Sequence, residues 1–198
     1  CLYYDGVDDY VNHVNVNFSE GSPHTYSAWV KWSGSAPTAS IVPFGGTGSC
    51  DFIQLYSSGS YTFMFRDHSP CTQTTITNSN TQTLYNEKWH FITWSINSSK
   101  QLFFYIDGLK NGDTMTLVNS AIYYNWIAKG YSATGFLSNY LWKGYIDEVR
   151  IFDAAMPTSQ IEQMYFAGLS KLFAKNQITQ SEYQQRLANL PANNFAKE

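Results

Sequence analysis

Between Leu2 and Phe152 the chain alternates. Tyr26, Ala28, Val30 and Trp32 take turns with Ser27, Trp29 and Lys31, and Phe91, Thr93 and Ser95 take turns with Ile92, Trp94 and Ile96. Leu102, Phe104 and Ile106 do the same with Phe103, Tyr105 and Asp107. A period of two sends successive side chains to opposite faces, which is the signature of β-strands. Turn chemistry separates the runs at Ser33-Gly-Ser35, Gly45-Gly-Thr-Gly48, Asn97-Ser-Ser-Lys100 and Asp107-Gly108. Strands spaced roughly ten residues apart point to an antiparallel sandwich and not to a helix-crossover fold.

Two segments with fixed acidic residues stand near the ends of this region: Tyr3-Tyr-Asp-Gly-Val-Asp-Asp-Tyr-Val11 and Gly144-Tyr-Ile-Asp-Glu-Val-Arg-Ile-Phe152. Their placement suits first and last strands that are neighbours in one sheet. A shell closed in that way points to a recognition module more than to an enzyme with an internal active site.

Length and composition set the bounds. A chain of 198 residues suits one domain with an appendage, and it buries roughly 70% of its unfolded surface, enough for a core without metal or disulfide support. Aromatic residues make up 17% and charged residues 14%, which fits rings packed on pleated surfaces. The net charge of −3 includes no basic stripe, so the chain lacks the footprint of a nucleic-acid binder. No apolar run is long enough to cross a bilayer, so no membrane insertion is expected of this fragment. The chain opens inside a strand without a signal peptide, as expected of a piece of a longer precursor.

Cys50 and Cys71 flank a hairpin pattern made of Asp51–Tyr56 and Tyr61–Arg66. A disulfide between them would close a loop of about 20 residues, worth roughly 3 kcal/mol, and would imply an oxidising compartment; the alternative is two buried thiols. Cys1 is left over, free to pair outside this chain or to carry a lipid.

The character changes at Pro157. Ile161, Met164, Tyr165, Leu169, Leu172 and Phe173 recur at helical spacing behind a proline suited to a first turn. Thr179-Gln-Ser-Glu182 has capping-box spacing and opens a second helix carrying Tyr183, Leu187 and Leu190, stopped by Pro191. The expected organisation is a sandwich over residues 1–156, a helical hairpin over 157–191 and a frayed tail over 192–198.

Five pieces, in order, resemble the laminin-G-like, concanavalin A-like lectin superfamily, especially its bacterial branch. They are Tyr4–Val11, Ala28-Trp-Val-Lys31, Trp89-His90, Tyr105-Ile-Asp-Gly108 and Gly144–Ile151. The resemblance covers residues 2 to 167 and implies an all-β, two-sheet antiparallel jelly-roll sandwich in which Trp89 and the strand through Trp94 belong to the core. The stretch from Leu169 to Leu187 is similar to bacterial C-terminal helical hairpins that mediate assembly, including tails on pilin-type surface proteins.

For a metal, Asp5, Asp8, Asp9 and Asp147 lie in the matching motifs. If the terminal strands pair, Asp5 and Asp147 approach and one structural calcium ion would relieve their repulsion; the alternative is that they cap turns or pair with Arg150. For catalysis little is present. Asp147 and Glu148 are adjacent and so are expected on opposite faces of a strand, where they cannot flank a sugar. His13, His24, His68 and His90 lack metal-ligand spacing, and no serine or cysteine nucleophile motif occurs. For binding, sugars stack on exposed rings. Candidates are Tyr123 and Trp126 in Tyr123-Tyr-Asn-Trp126, Tyr140 and Trp142 in the following loop, and Arg66 and His68 at the cysteine-flanked hairpin, against the alternative that these rings are core. The reading is an extracellular or cell-surface, non-catalytic module that binds a glycan. Its rivals are an assembly head that uses the C-terminal helices for self-association, and a glycan hydrolase or lyase.

Overall fold

The computed structural model describes residues 1–35, 44–45, 52–55, 61–66, 73–132 and 135–191. In chain order the strands begin with β1 (Leu2–Asp5), β2 (Val11–Phe18), β3 (His24–Trp32), β4 (Phe44–Gly45), β5 (Phe52–Gln54), β6 (Met64–Arg66) and β7 (Gln73–Thr75). They continue with β8 (His90–Ile96), β9 (Gln101–Ile106), β10 (Leu109–Lys110), β11 (Met115–Thr116), β12 (Ile122–Ile127), β13 (Lys129–Ser132), β14 (Gly135–Leu141) and β15 (Lys143–Phe152). Two helices close the chain, α1 (Thr158–Ala174) and α2 (Gln180–Ala188).

One sheet runs β1-β15-β3-β8-β9-β10, with β11 also on β9; the facing sheet runs β2-β12-β4-β5-β6-β7; β13 and β14 form a separate pair. All pairings are antiparallel. This is the expected all-β jelly-roll sandwich with a helical hairpin. The terminal strands are neighbours, as their sequences imply, with Leu2 opposite Ile146 and Asp5 opposite Lys143.

The alternating runs sort their side chains into two cores. Tyr26, Ala28, Val30 and Trp32 of β3, Ile92, Trp94 and Ile96 of β8, and Leu102 and Phe104 of β9 point between the sheets. There they meet Ile53 and Phe65 of the second sheet, with Leu55, Phe63 and Ile76 from residues adjoining its strands. Trp29, Phe91 and Tyr105 point outward, yet they too are buried, under Ile161, Tyr165 and Leu169 of α1 and Leu190 beyond α2. Strand β3 is therefore covered on both faces, which explains why its outward position 29 carries tryptophan where a half-exposed strand would carry a polar residue.

The helical hairpin thus packs on its own sandwich. Trp29 stacks on Tyr165 with ring centroids 5.6 Å apart, and a Cβ on Gly168 would lie 2.3 Å from Trp29 Nε1. Only a glycine lets the helix come this close. Pro157 is the N-cap of α1, and Thr179 caps α2 by accepting from the Glu182 amide at 3.1 Å. The return half of the capping box is not made. Glu182 turns instead to Arg186, 2.7 Å away. The tail over 192–198 lies outside the described residues.

Arg186 pins α2 to the sheet. Its side chain is only 10% exposed; Nη1 donates to the Trp89 carbonyl at 2.7 Å and lies 4.0 Å from Asp107 Oδ1. Burial opposes its charge, but Asp107, Tyr165 and Glu182 outweigh that cost and raise its pKa. Asp107 and Gly108 form the β9–β10 turn with φ of 53° and 78°, the left-handed pair a tight hairpin needs. The Asp107 carboxylate accepts from the Phe91 amide at 2.9 Å and lies 2.7 Å from His90 Nδ1.

Candidate functional site

The sequence-chosen residues separate once placed. Trp142 is fully buried and crosses Trp32 edge-on at 5.4 Å, so its ring belongs to the inter-sheet core and offers no face to a sugar. Its neighbours Gly, Ser and Asn suggested an exposed loop. Instead it precedes β15, directly under the closing strand. Trp126 is 9% exposed, at the end of β12 where it pairs with β2 and β4. The backbones of Arg66, Tyr123 and Tyr140 lie in β6, β12 and β14, and their side chains are outside what is described. His68, Cys50 and Cys71 lie outside the described residues.

The strand register does not bring Asp5 and Asp147 together. Register puts Asp5 opposite Lys143, four positions along β15 from Asp147, or about 13 Å at ~3.3 Å per residue. The cause is Tyr4, which buries its ring opposite Gly144 and fixes the pairing there. Gly144 has φ of 128°, and a Cβ on it would lie 2.0 Å from the Lys31 carbonyl oxygen. Asp5 groups instead with Asp8 and Asp9, their carboxylate oxygens within 4.8 Å of one another and all exposed. Asp5 Oδ1 accepts from the Val7 amide at 2.7 Å, and Asp9 Oδ2 accepts from the Asp5 amide at 3.0 Å. Turn capping therefore occupies the Asp5 and Asp9 carboxylates.

This loop delivers Tyr10, which sequence reading passed over. Its ring is 45% exposed and meets Trp126 edge-on at 6.5 Å. Lys129 Nζ stands 3.7 Å from the Tyr10 ring centroid and 5.7 Å from that of Trp126. An ammonium at that distance from a ring is attracted by its quadrupole, worth roughly 0.5–1 kcal/mol at an exposed site. Desolvation lowers the Lys129 pKa. An exposed ring, a tryptophan edge and an ammonium are thereby assembled at one end of the second sheet. The available signal was position: an aromatic residue directly after an acidic loop and before a strand.

A second constellation lies on the helical side. Asp147 and Glu148, expected on opposite faces, line the same groove. A bulge interrupts the β15–β3 register between Asp147 and Arg150, and Glu148 takes a left-handed φ of 48°. That breaks the alternation and re-aims the second carboxylate. Glu148 receives Lys171 Nζ at 2.5 Å and Arg150 Nη2 at 2.9 Å, one cation on each oxygen, while Asp147 Oδ1 accepts from the Glu148 amide at 2.9 Å. The groove of about 240 Å³ is closed below by Trp29 and Trp89 and bordered by Lys175 and Gln177.

Comparison with known proteins agrees with this architecture. Residues 5–162 match the family model described as the concanavalin A-like lectin/glucanases superfamily. No curated protein sequence matches the chain. Among solved structures, domain 4 of AbnA, a GH43 extracellular arabinanase from Geobacillus stearothermophilus in complex with arabinotriose, is similar. It has a TM-score of 0.58 at 17% identity, over 82% of this chain and 75% of that one. The native heptameric SAP-like pentraxin from Limulus polyphemus gives 0.57 at 15% identity, over 82% and 80%. The binding domain of botulinum neurotoxin DC in complex with SialylT gives 0.52 at 16% identity, over 80% of this chain but 42% of that one. At these identities the solved structures speak for the fold alone. A family model spanning most of the sandwich, with the first and last strands paired as that fold requires, places this chain in the concanavalin A-like lectin/glucanase superfamily.

Proposed function

We propose that this domain is a secreted or surface-displayed, non-catalytic recognition module that holds a carbohydrate at the Tyr10–Trp126–Lys129 cluster. The observation that carries the reading is the exposed Tyr10 ring, backed by Trp126 and flanked by the Lys129 ammonium, a hydrogen-bond donor. Sugars match such a surface because their C–H face stacks on a ring while their hydroxyls pair with fixed polar groups. The arabinotriose and SialylT complexes of fold relatives give the ligand class precedent.

Two features support a role without chemistry. Of the carboxylates on the helical side, Glu148 has both oxygens held by cations, leaving neither to reach a glycosidic oxygen. His90, the histidine best held by partners, lies between Asp107 and Asn86 with no serine, threonine or cysteine bonded to either ring nitrogen. The assembly reading loses support, because, of the apolar stripe Ile161, Met164, Leu169 and Leu172, the first and third are buried within the same chain and the other two pack partly buried against them.

Exchanging Tyr10 for alanine tests the assignment. Tyr10 is exposed, so the fold is expected to keep its stability within about 0.5 kcal/mol. Retention on a multivalent glycan surface should fall at least about tenfold, equivalent to ~1.4 kcal/mol per site. Unchanged retention by a folded Tyr10→Ala protein would remove the cluster from the function.

A further inference from the structure

We propose that the outer edge of β1 docks a second copy of this chain, the two β1 strands pairing antiparallel across a two-fold axis at Tyr3. The contact is independent of the glycan reading, and it uses a sheet edge in place of the C-terminal helices.

The edge is open. Among the described residues β1 pairs with β15 alone and stands at the end of its sheet. An unpaired strand edge offers its backbone donors and acceptors to any chain that can lie along it. The Asp5 amide shows which groups these are, because it turns away from β15 to the Asp9 carboxylate. Backbone groups alternate in direction along an antiparallel strand, so Tyr3, two residues earlier, also directs its N–H and C=O outward.

The edge is also apolar. Leu2 lies on the core face with Tyr4, opposite the buried Ile146, yet it is 55% exposed. Tyr3 leans on Tyr145 with ring centroids 5.0 Å apart, on the face that α1 covers, and is 50% exposed. A neighbouring strand would cover both. The other sheet ends differ in kind. Strand β10 is two residues long and carries Lys110, β7 reads Gln-Thr-Thr, and the exposed positions described on β2 are Asn12 and Asn17.

Charge selects the occupant and its direction. Asp5, Asp8 and Asp9 form an exposed acidic group at one end of β1. A parallel copy would set two such groups side by side, whereas an antiparallel copy sends them to opposite ends. With Tyr3 opposite Tyr3, Asp5 of each copy comes opposite Cys1 of the other, and Leu2 of each packs beside Tyr4 of the other. Beside Cys1 stand Lys171 and Lys175 of α1. There the two lysines, Arg150 and the Cys1 ammonium outnumber Asp147 and Glu148. Each acidic end therefore meets a basic one, and the match occurs twice, as a self-complementary two-fold interface demands. A pair so formed carries two Tyr10 clusters in one particle, the condition under which weak sites gain avidity.

The test is sedimentation velocity of the whole chain from micromolar to millimolar concentration. The mass should rise from one chain toward two and stop there, because a two-fold contact closes on itself. Tyr3→Lys and Leu2→Asp, both at exposed positions, should each weaken the dimer at least about tenfold without moving the urea midpoint of the monomer. Lys175→Glu should weaken it at least about threefold, and adding Asp8→Lys to that variant should restore it. Val118→Lys, exposed elsewhere, should change nothing. Exchange of the Tyr3 amide should slow as concentration rises, which a contact made anywhere else would not produce. A one-chain mass at every concentration overturns the proposal and leaves the edge to a partner of another kind. So do masses climbing beyond two chains, a dimer indifferent to Tyr3→Lys and Leu2→Asp together, or a Tyr3 amide whose exchange ignores concentration.

Discussion

Replacing Gly168 by valine is expected to destabilise the protein by about 3 kcal/mol and to lift the helical hairpin from the sheet before the sandwich unfolds. The position faces the Trp29 indole, with ring atoms 2.3, 2.6 and 2.7 Å from where a Cβ would stand. Those atoms belong to a ring clamped between Phe91 and Tyr165, so they cannot swing aside as a flexible chain tip would. The helix itself should tolerate the change, because valine is no worse a helix former than glycine. Loss therefore falls on docking. Hydrogen exchange should show residues 161–190 losing protection first, while amides of β3 and β8 stay slow. If exchange in the hairpin were unaltered, α1 would not be seated on Trp29, and the hairpin would be available as an assembly device after all.

The second large effect is acid sensitivity at His24. Its ring is fully buried, stacked on Phe18 at 4.4 Å, with Nδ1 donating to the Ser22 carbonyl at 2.8 Å. Nε2 is buried without a hydrogen-bond partner. Protonating it would place a charged N–H where nothing accepts it. Burial accordingly lowers the pKa from 6.5 to about 4, with the Ser22 bond offsetting only part of that. The unfolded chain binds a proton at this ring below pH 6.5, and the folded chain does so only below about 4. Stability is thus complete above pH 6.5 and falls as the pH drops from 6.5 toward 4, by on the order of 3 kcal/mol. Urea midpoints measured across that window should follow this slope. His24→Phe, which keeps the stack on Phe18 and cannot titrate, should flatten it. A wild-type profile no steeper than that of His24→Phe would mean that the buried ring is not held neutral.

Much of the fold could be read from residues alone, because period two is a local property. Tyr26 to Trp32 announces which side chains share a face, and the pairing of β1 with β15 follows from where the two acidic segments stand. What alternation cannot convey is offset. Tyr4 seated opposite Gly144 decides that Asp5 and Asp147 are four residues apart along the strand, and neither residue advertises the distance. The bulge at Glu148 is silent for the same reason, since Asp147-Glu148-Val-Arg150 looks like uninterrupted strand until one residue turns left-handed. Gly168 did carry a signal. A glycine inside an amphipathic helix costs about 1 kcal/mol relative to alanine, and such a position calls for a close neighbour. Trp29 is that neighbour. The rings were not legible one by one: Trp142 stands out in the sequence and is buried, Tyr10 does not and is exposed, and burial depends on which strands close over each.

The proposed function is recognition without bond breaking. Its most direct measurement is incubation of the folded, multivalently displayed chain with a broad set of immobilised polysaccharides, scoring both retention and newly released reducing ends. The expected result is retention of at least one polysaccharide, diminished by Tyr10→Ala, with reducing ends at the level of the protein-free control. Release of reducing ends, or failure of the folded chain to be retained on any of them, would contradict it.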